Sequence, residues 1–81
     1  MSAPDSAQVA ELLGTLRGRG ETVATAESLT AGMVCASLTE VSGASEVVRG
    51  GLVVYATDLK TALAGVDERL LADRGAVDPA V

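Results

Sequence analysis

The stretch ETVATAESLTAGMVCASLTEV, residues 21–41, decides the fold because its hydrophobic pattern changes period partway along. Residues 21–26 form a short segment rich in β-branched side chains, which predicts a first strand. Residues 30–41 carry apolar side chains at the spacing of one helix face, which predicts a helix. That spacing is set by Val34, Leu38 and Val41. A strand followed directly by a helix is the opening half of a βαβ unit.

A second strand is predicted downstream, where Leu52-Val53-Val54-Tyr55 forms a continuous apolar run. Such a run is typical of a strand covered on both faces. A loop of turn formers at 42–45 and a short candidate strand at 46–49 precede it. Gly50-Gly51 lies between these two segments and is expected to interrupt the strand, as at a bulge or a close backbone contact. Strands separated by helical segments predict a largely parallel sheet in an α/β fold.

Further helices are predicted on both sides of this unit. After a leader at residues 1–5 that we expect to be disordered, Asp5 or Ser6 caps a first helix; Thr57 caps a third and Asp67 a short fourth. The apolar stripe of the first helix consists of Val9, Leu12, Leu13 and Leu16, and that of the third consists of Leu59, Leu63 and Val66.

The last residues contain another helix-start signal. Asp78-Pro79 places a capping aspartate before a proline at the first helical position, and the sequence stops two residues later. We therefore expect the chain to be truncated, a fragment of a larger α/β domain.

The composition predicts one small domain that depends on other chain segments. The 81 residues include 14 Ala, 11 Val and 10 Leu, with no Ile, Phe or Trp. A chain of this length buries only about 60–65% of the surface that its unfolded form exposes. We therefore expect a homo-oligomer, or a need for a missing segment, to complete the core.

Charge and residue types exclude several function classes. A net charge of −5 with no basic stripe disfavours nucleic acid as a partner. One cysteine and no histidine exclude an internal disulfide, a zinc site of the usual kind and histidine-based catalysis. No apolar run approaches the ~20 residues of a membrane span, and the N-terminus lacks a secretory signal. We expect a cytoplasmic protein without membrane contact.

The first candidate site residue, Ser28, lies at the first strand-to-helix junction. The backbone N–H groups of Leu29, Thr30 and Ala31 follow it at a helix N-terminus, where they can receive a phosphate or the oxyanion of an acyl-transfer intermediate. The alternative is that Ser28 and Thr30 only cap the helix.

The second junction holds Tyr55 at the end of its strand and Lys60, the one lysine, in the first turn of the next helix. The partial positive charge of a helix N-terminus makes an ammonium ion less favourable there. The alternative is a solvated surface lysine. If the two strands are parallel, both junctions lie at one edge of the sheet, and a neutral Lys60 can take the proton of Ser28.

Three other residues leave alternatives open. Glu27 either holds a neighbouring loop, which we favour, or contacts a ribose. Arg49 either reaches a phosphate or pairs with an acidic neighbour. Cys35 is predicted to be a small buried apolar residue.

The sequence also resembles a known family. The run Thr25-Ala26-Glu27-Ser28-Leu29-Thr30-Ala31-Gly32 is similar to the A-E-S-C-T-G-G signature of the CinA C-terminal domain family, the nicotinamide-nucleotide amidases. The resemblance continues, in order, through Leu38-Thr39, Gly43-Ala44-Ser45, Arg49-Gly50-Gly51, Val54-Tyr55, Lys60, Gly65-Val66 and Gly75-Ala76-Val77. Residues 6–81 resemble the N-terminal half of the family's domain, and the later G-I-A-G-P segment has no counterpart.

The resemblance implies a three-layer α/β/α sandwich and an amidohydrolase. Its substrate is nicotinamide mononucleotide, its products are nicotinate mononucleotide and ammonia, and it needs neither a cofactor nor a metal. By resemblance, Ser28 is the nucleophile, Lys60 the general base and Tyr55 the residue that assists them. The N–H groups of Thr30, Ala31 and Gly32 match the oxyanion or phosphate site, and Glu27 and Arg49 stay possible substrate contacts.

Three positions depart from the family pattern, because Leu29 replaces Cys, Ala31 replaces the first Gly of a pair, and Asp78 replaces Ser. None removes a catalytic group. Two function classes therefore stay open: an amidohydrolase that needs the second half of its domain, or a noncatalytic nucleotide-binding or assembly module of the same fold.

Overall fold

The computed structural model describes residues 5–81. The order of elements is α1 (Ser6–Gly18), β1 (Val23–Glu27), α2 (Met33–Thr39), a 3₁₀ helix (Ala44–Glu46), β2 (Val48–Val53), α3 (Thr57–Ala62) and α4 (Glu68–Arg74). The predicted α/β class is confirmed. Residues 1–4 of the expected leader lie outside the described part, whereas Asp5 caps α1 by accepting a hydrogen bond from the Ala7 N–H at 2.8 Å.

Strands β1 and β2 form a parallel pair in which Thr25 faces Gly51 and Glu27 faces Val53. The register shifts by one residue near the start, which leaves Arg49 as the extra residue of a bulge. The expected irregularity is therefore present, but β2 continues through both glycines instead of being interrupted by them. The predicted strand at 46–49 is wrong at Glu46 and Val47, because the first ends the 3₁₀ helix and the second is its C-cap. The predicted strand at 52–55 is wrong at Val54 and Tyr55, since β2 ends at Val53.

The main hydrophobic core lies between the helices α1 and α2 and the start of the sheet. Its buried members are Val9, Leu13, Leu38, Ala44 and Val47. The predicted stripe of α1 is corrected at Leu12, which is 47% exposed and does not belong to the core. Among residues 5–81, no helix has the length and apolar character needed to cross a membrane.

The face of the sheet that carries Thr25 and Gly51 is packed tightly against α2. A β-carbon at Gly51 would overlap the hydroxyl of Thr25 and approach the Cys35 sulfur to 3.0 Å. We expect Gly51→Ala to lower the free energy of unfolding by about 2 kcal/mol, since overpacking forces strand and helix apart. Gly14→Ala is the matched control: it adds the same methyl to α1 with no atom within 4 Å. It should stabilise the chain by about 0.5–1 kcal/mol, because alanine favours helix.

Denaturant titration of the two alanine variants measures both effects. Equal destabilisation by the two substitutions would contradict the close approach of α2 to the sheet at Gly51.

Three sequence predictions are corrected by the packing. Leu52 is 40% exposed, so β2 is not covered on both faces by the described residues: α2 covers one face and Leu52 lies on the other. Helix α2 occupies 33–39 and not 30–41, because the residues before it form a turn. Helix α3 ends at Ala62, and Leu63, predicted to face inward, is more than half exposed.

Candidate functional site

The two predicted junctions meet at the carboxyl edge of the sheet. Ser28 follows the last residue of β1, and Lys60 lies on α3, the helix that follows β2. The Lys60 Nζ lies 3.1 Å from the Ser28 Oγ, within hydrogen-bond distance. The prediction that the two side chains come within reach of each other is therefore confirmed, and the alternative of a solvated surface lysine is wrong, since Lys60 is only 6% exposed.

The position of Lys60 on α3 explains how its side chain reaches Ser28. A helical side chain leans toward the N-terminus of its helix, so Lys60 points back at the end of β2. Its Nζ donates to the carbonyl oxygens of Val54 at 2.8 Å and Tyr55 at 3.1 Å. The Nζ therefore has three oxygen atoms within hydrogen-bond distance, those of the two carbonyls and of the Ser28 hydroxyl.

Tyr55 contributes to this cluster differently from the prediction. Its carbonyl oxygen accepts the hydrogen bond from Lys60, whereas its side chain is 71% exposed and its hydroxyl has no partner among residues 5–81. Tyr55 also lines an open groove together with Ser28 and Lys60. The other residues that line this groove are Leu29, Ala76, Val77, Asp78 and Pro79.

Glu27 is 6% exposed and uses both carboxylate oxygens within the protein. Its Oε1 accepts from the Thr30 hydroxyl at 2.7 Å and the Val34 N–H at 2.8 Å. Its Oε2 accepts from the Cys35 N–H at 2.9 Å and the Thr25 hydroxyl at 3.3 Å. The interpretation of Glu27 as a residue that holds a neighbouring loop agrees with these contacts.

These hydrogen bonds also explain the titration of Glu27. Burial by itself raises the pKa of the carboxyl, but the hydrogen bonds from Thr30, Cys35, Val34 and Thr25 outweigh it, so the pKa lies below the ordinary 4.5. Because the pKa is depressed in the folded state, ionised Glu27 stabilises the fold above the unfolded pKa. This contribution is lost as the pH falls below about 4.5 and through the folded pKa.

We expect Glu27→Gln to lower the melting temperature at pH 7 by several degrees and to flatten the loss of stability below pH 4.5. The control is Glu11→Gln, the same change of side chain at an exposed position of α1. Thermal melts between pH 7 and pH 3 measure both. If the melting temperature of Glu27→Gln fell below pH 4.5 as steeply as that of the parent chain, the stabilising role of the hydrogen-bonded carboxylate would be contradicted.

Residues 28–32 form a turn between β1 and α2, so the predicted helix N-terminus at residue 30 is corrected. The Ala31 N–H donates to the Ser28 carbonyl at 3.1 Å and is not a free donor. The N–H groups of Leu29, Thr30 and Gly32 have no acceptor among residues 5–81. Ala31 has φ 53° and Gly32 has φ 91°, so Ala31 occupies a left-handed conformation that glycine adopts more readily.

Arg49 does not join the site. It lies at the bulge near the start of β2, and five residues of extended chain place its backbone about 16 Å from Val54. The hypothesis that Arg49 contacts the same substrate as Ser28 and Lys60 is therefore not supported within one chain.

Sequence reasoning missed the place of Asp78, which lines the groove together with Ser28 and Lys60. Its Oδ1 accepts from the Ala80 N–H at 2.9 Å, so it begins a turn at the position where the sequence predicted the start of a helix. Nothing in the local pattern indicates the groove, because residues 76–79 reach it through the path of the chain after α4.

Comparisons with known proteins agree with this architecture. A family model described as the CinA C-terminal domain matches residues 5–81. A CinA-like protein of Frankia casuarinae is 53% identical over 66 residues, which is 82% of this chain and 15% of that protein. A CinA-like protein of Mycolicibacterium gilvum is 51% identical over 74 residues, which is 91% of this chain and 16% of that protein.

Solved structures are similar as well. The competence/damage inducible protein CihA from Agrobacterium tumefaciens superimposes with a TM-score of 0.91 at 33% identity, covering 99% of this chain and 50% of that one. The competence damage-inducible protein A from Klebsiella pneumoniae gives a TM-score of 0.89 at 29% identity, covering 93% of this chain and 47% of that one. The chain thus spans about half the length of these solved relatives and a smaller share of the curated ones.

Proposed function

Because this chain belongs to the CinA C-terminal domain family, we propose that it carries the serine–lysine pair of an amidohydrolase that converts nicotinamide mononucleotide to nicotinate mononucleotide and ammonia. The observation that supports this most is the 3.1 Å contact between the Lys60 Nζ and the Ser28 Oγ. In a chain without histidine, lysine is the available base for a serine nucleophile.

The contacts of Lys60 support a role as the base. When its amine is neutral, two N–H groups donate to the carbonyl oxygens of Val54 and Tyr55, and the lone pair is left facing the Ser28 hydroxyl. The amine takes the hydroxyl proton as Ser28 Oγ attacks the carboxamide carbon. The proton then passes to the leaving nitrogen, so that ammonia departs and an ester of nicotinate on Ser28 remains. Water, deprotonated by Lys60, hydrolyses this ester and restores the serine.

The turn at 28–32 supports stabilisation of the oxyanion. Its N–H groups of Leu29, Thr30 and Gly32 lie just after the nucleophile and are unpaired within the described residues. We assign the oxyanion to these donors in place of the Ala31 N–H, which donates to Ser28. Removing one donor of this kind typically costs about 10²–10³ in turnover.

The exposed ring of Tyr55 supports a second role in binding. In the groove beside Ser28 it offers an aromatic face to the pyridinium ring of the substrate, a cation that aromatic faces attract. In this proposal Tyr55 assists through its ring and not through proton transfer, because the hydroxyl has no contact with Ser28 or Lys60.

The test is incubation of the purified chain with nicotinamide mononucleotide, with ammonia and nicotinate mononucleotide measured together. The CihA protein from Agrobacterium tumefaciens is assayed in parallel; this chain covers 50% of its length. Stoichiometric release of both products by this chain supports the proposal. Binding of the nucleotide without ammonia release would favour the noncatalytic nucleotide-binding module, and release by CihA alone would contradict activity in the isolated chain.

A further inference from the structure

The amidohydrolase proposal assigns no role to the buried carboxylate of Glu27, the residue directly before Ser28. An ionised carboxylate has about four lone-pair positions, two on each oxygen. All four are matched by donors within the protein: the hydroxyls of Thr25 and Thr30 and the N–H groups of Val34 and Cys35. No position is left for a substrate hydroxyl, which argues against the ribose contact considered from the sequence.

The donors come from three parts of the chain that surround Ser28. Thr25 lies on β1 before it, Thr30 lies in the turn after it, and Val34 and Cys35 are in the first turn of α2. Helix α2 begins after Gly32, which has no side chain with which to cap it, and the Glu27 carboxylate receives the N–H groups that an N-cap side chain would bind. One side chain thus joins the strand, the turn and the helix.

From this geometry we infer that Glu27 is a positioning residue for catalysis: it holds the turn at 28–32 through Thr30, and so fixes the N–H donors relative to the Ser28 Oγ. The inference rests on the proposed function for its catalytic meaning. Preorganised donors stabilise a developing charge without reorganising during the reaction, so a turn that moves loses rate and not substrate affinity. A ribose-binding Glu27 would instead affect mainly KM.

A matched pair of substitutions separates positioning from simple structural support. Thr30→Val and Thr25→Val each remove a hydroxyl that donates to the Glu27 carboxylate, at 2.7 Å and 3.3 Å, with the same change of shape, but only Thr30 belongs to the turn. We expect Thr30→Val to lower kcat about tenfold with KM within twofold of the parent value, and Thr25→Val to leave both within twofold. Equal losses in the two variants, or a rise of KM in Thr30→Val with kcat unchanged, would overturn the inference.

A double-mutant cycle tests whether Glu27 acts through Thr30. We expect Glu27→Leu, which leaves no acceptor for the Thr30 hydroxyl, to lower kcat about 100-fold, and Thr30→Val to have little further effect in that background. If the two losses multiplied fully, Thr30 and Glu27 would act independently and the inference would be wrong. The melting temperature of each variant establishes the fraction of its molecules that is folded at the temperature of the assay.

A measurement without substrate keeps the inference separate from the amidohydrolase proposal. Backbone ¹⁵N relaxation of the unliganded chain should give order parameters near 0.85 for residues 29–32, falling toward 0.6 in Thr30→Val and unchanged in Thr25→Val. If the parent chain proved inactive, the amidohydrolase proposal would fail while this comparison still decided whether Glu27 holds the turn. Unchanged order parameters in Thr30→Val would overturn the positioning role itself.

Discussion

Replacing Ser28 with alanine is expected to lower the turnover of nicotinamide mononucleotide by about 10⁴-fold or more, because the covalent route through the serine ester is lost. Binding of the nucleotide should change little, since the substitution removes only one hydroxyl from an open groove. Single-turnover hydrolysis and equilibrium binding of the nucleotide measure the two effects separately.

Ser42→Ala is the control for this experiment. Ser42 is exposed in the loop before the 3₁₀ helix and lies outside the groove, so its substitution should leave turnover unchanged. Retention of near-normal turnover by Ser28→Ala would mean that water attacks the carboxamide directly, and the serine–lysine assignment would be wrong.

Replacing Lys60 is expected to have the second largest effect. Loss of a general base typically costs about 10²–10⁴ in rate, so Lys60→Met should lower kcat by that factor. Lys60→Arg should lose a similar factor although it keeps the positive charge, because a guanidinium does not give up its proton at neutral pH. The two substitutions therefore distinguish a base from a fixed charge.

The measurement is kcat for the folded fraction of each variant. That fraction must be determined, because Lys60→Met leaves the buried carbonyl oxygen of Val54 without this donor, at a cost of about 1–3 kcal/mol. If Lys60→Arg kept its turnover within tenfold of the parent, a positive charge beside Ser28 would be sufficient, and Lys60 would not act as the base.

The meeting of Ser28 with Lys60 was predictable because it depends on topology and not on side-chain packing. Two strands of a βαβ unit are parallel, so the residue after the first strand and the helix after the second lie at the same edge. The hydrophobic periodicity around Ser28 and Lys60 was enough to place both junctions, and the structure brings the two atoms to 3.1 Å.

The roles of the neighbouring groups were less predictable because each depends on which of several partners a polar group selects. Thr30 was expected to cap a helix, but its hydroxyl donates to Glu27, and the helix begins only at Met33. Tyr55 was expected, by resemblance, to assist Ser28 and Lys60, and the group that contacts Lys60 is its backbone carbonyl and not its side chain. Competing hydrogen bonds of similar strength are decided by distance and burial, which the local sequence does not contain.

By itself, the sequence determined the order of strands and helices, the parallel pairing and the edge at which Ser28 and Lys60 meet, because periodicity and chain connectivity are local properties. Tertiary structure alone decided that the Glu27 carboxylate caps α2, that the turn at 28–32 precedes the helix, and that Leu52 stays partly exposed. These features depend on which elements pack against β1 and β2. Burial then requires each polar group to find a partner from a distant part of the chain, and that choice is made only when the elements come together.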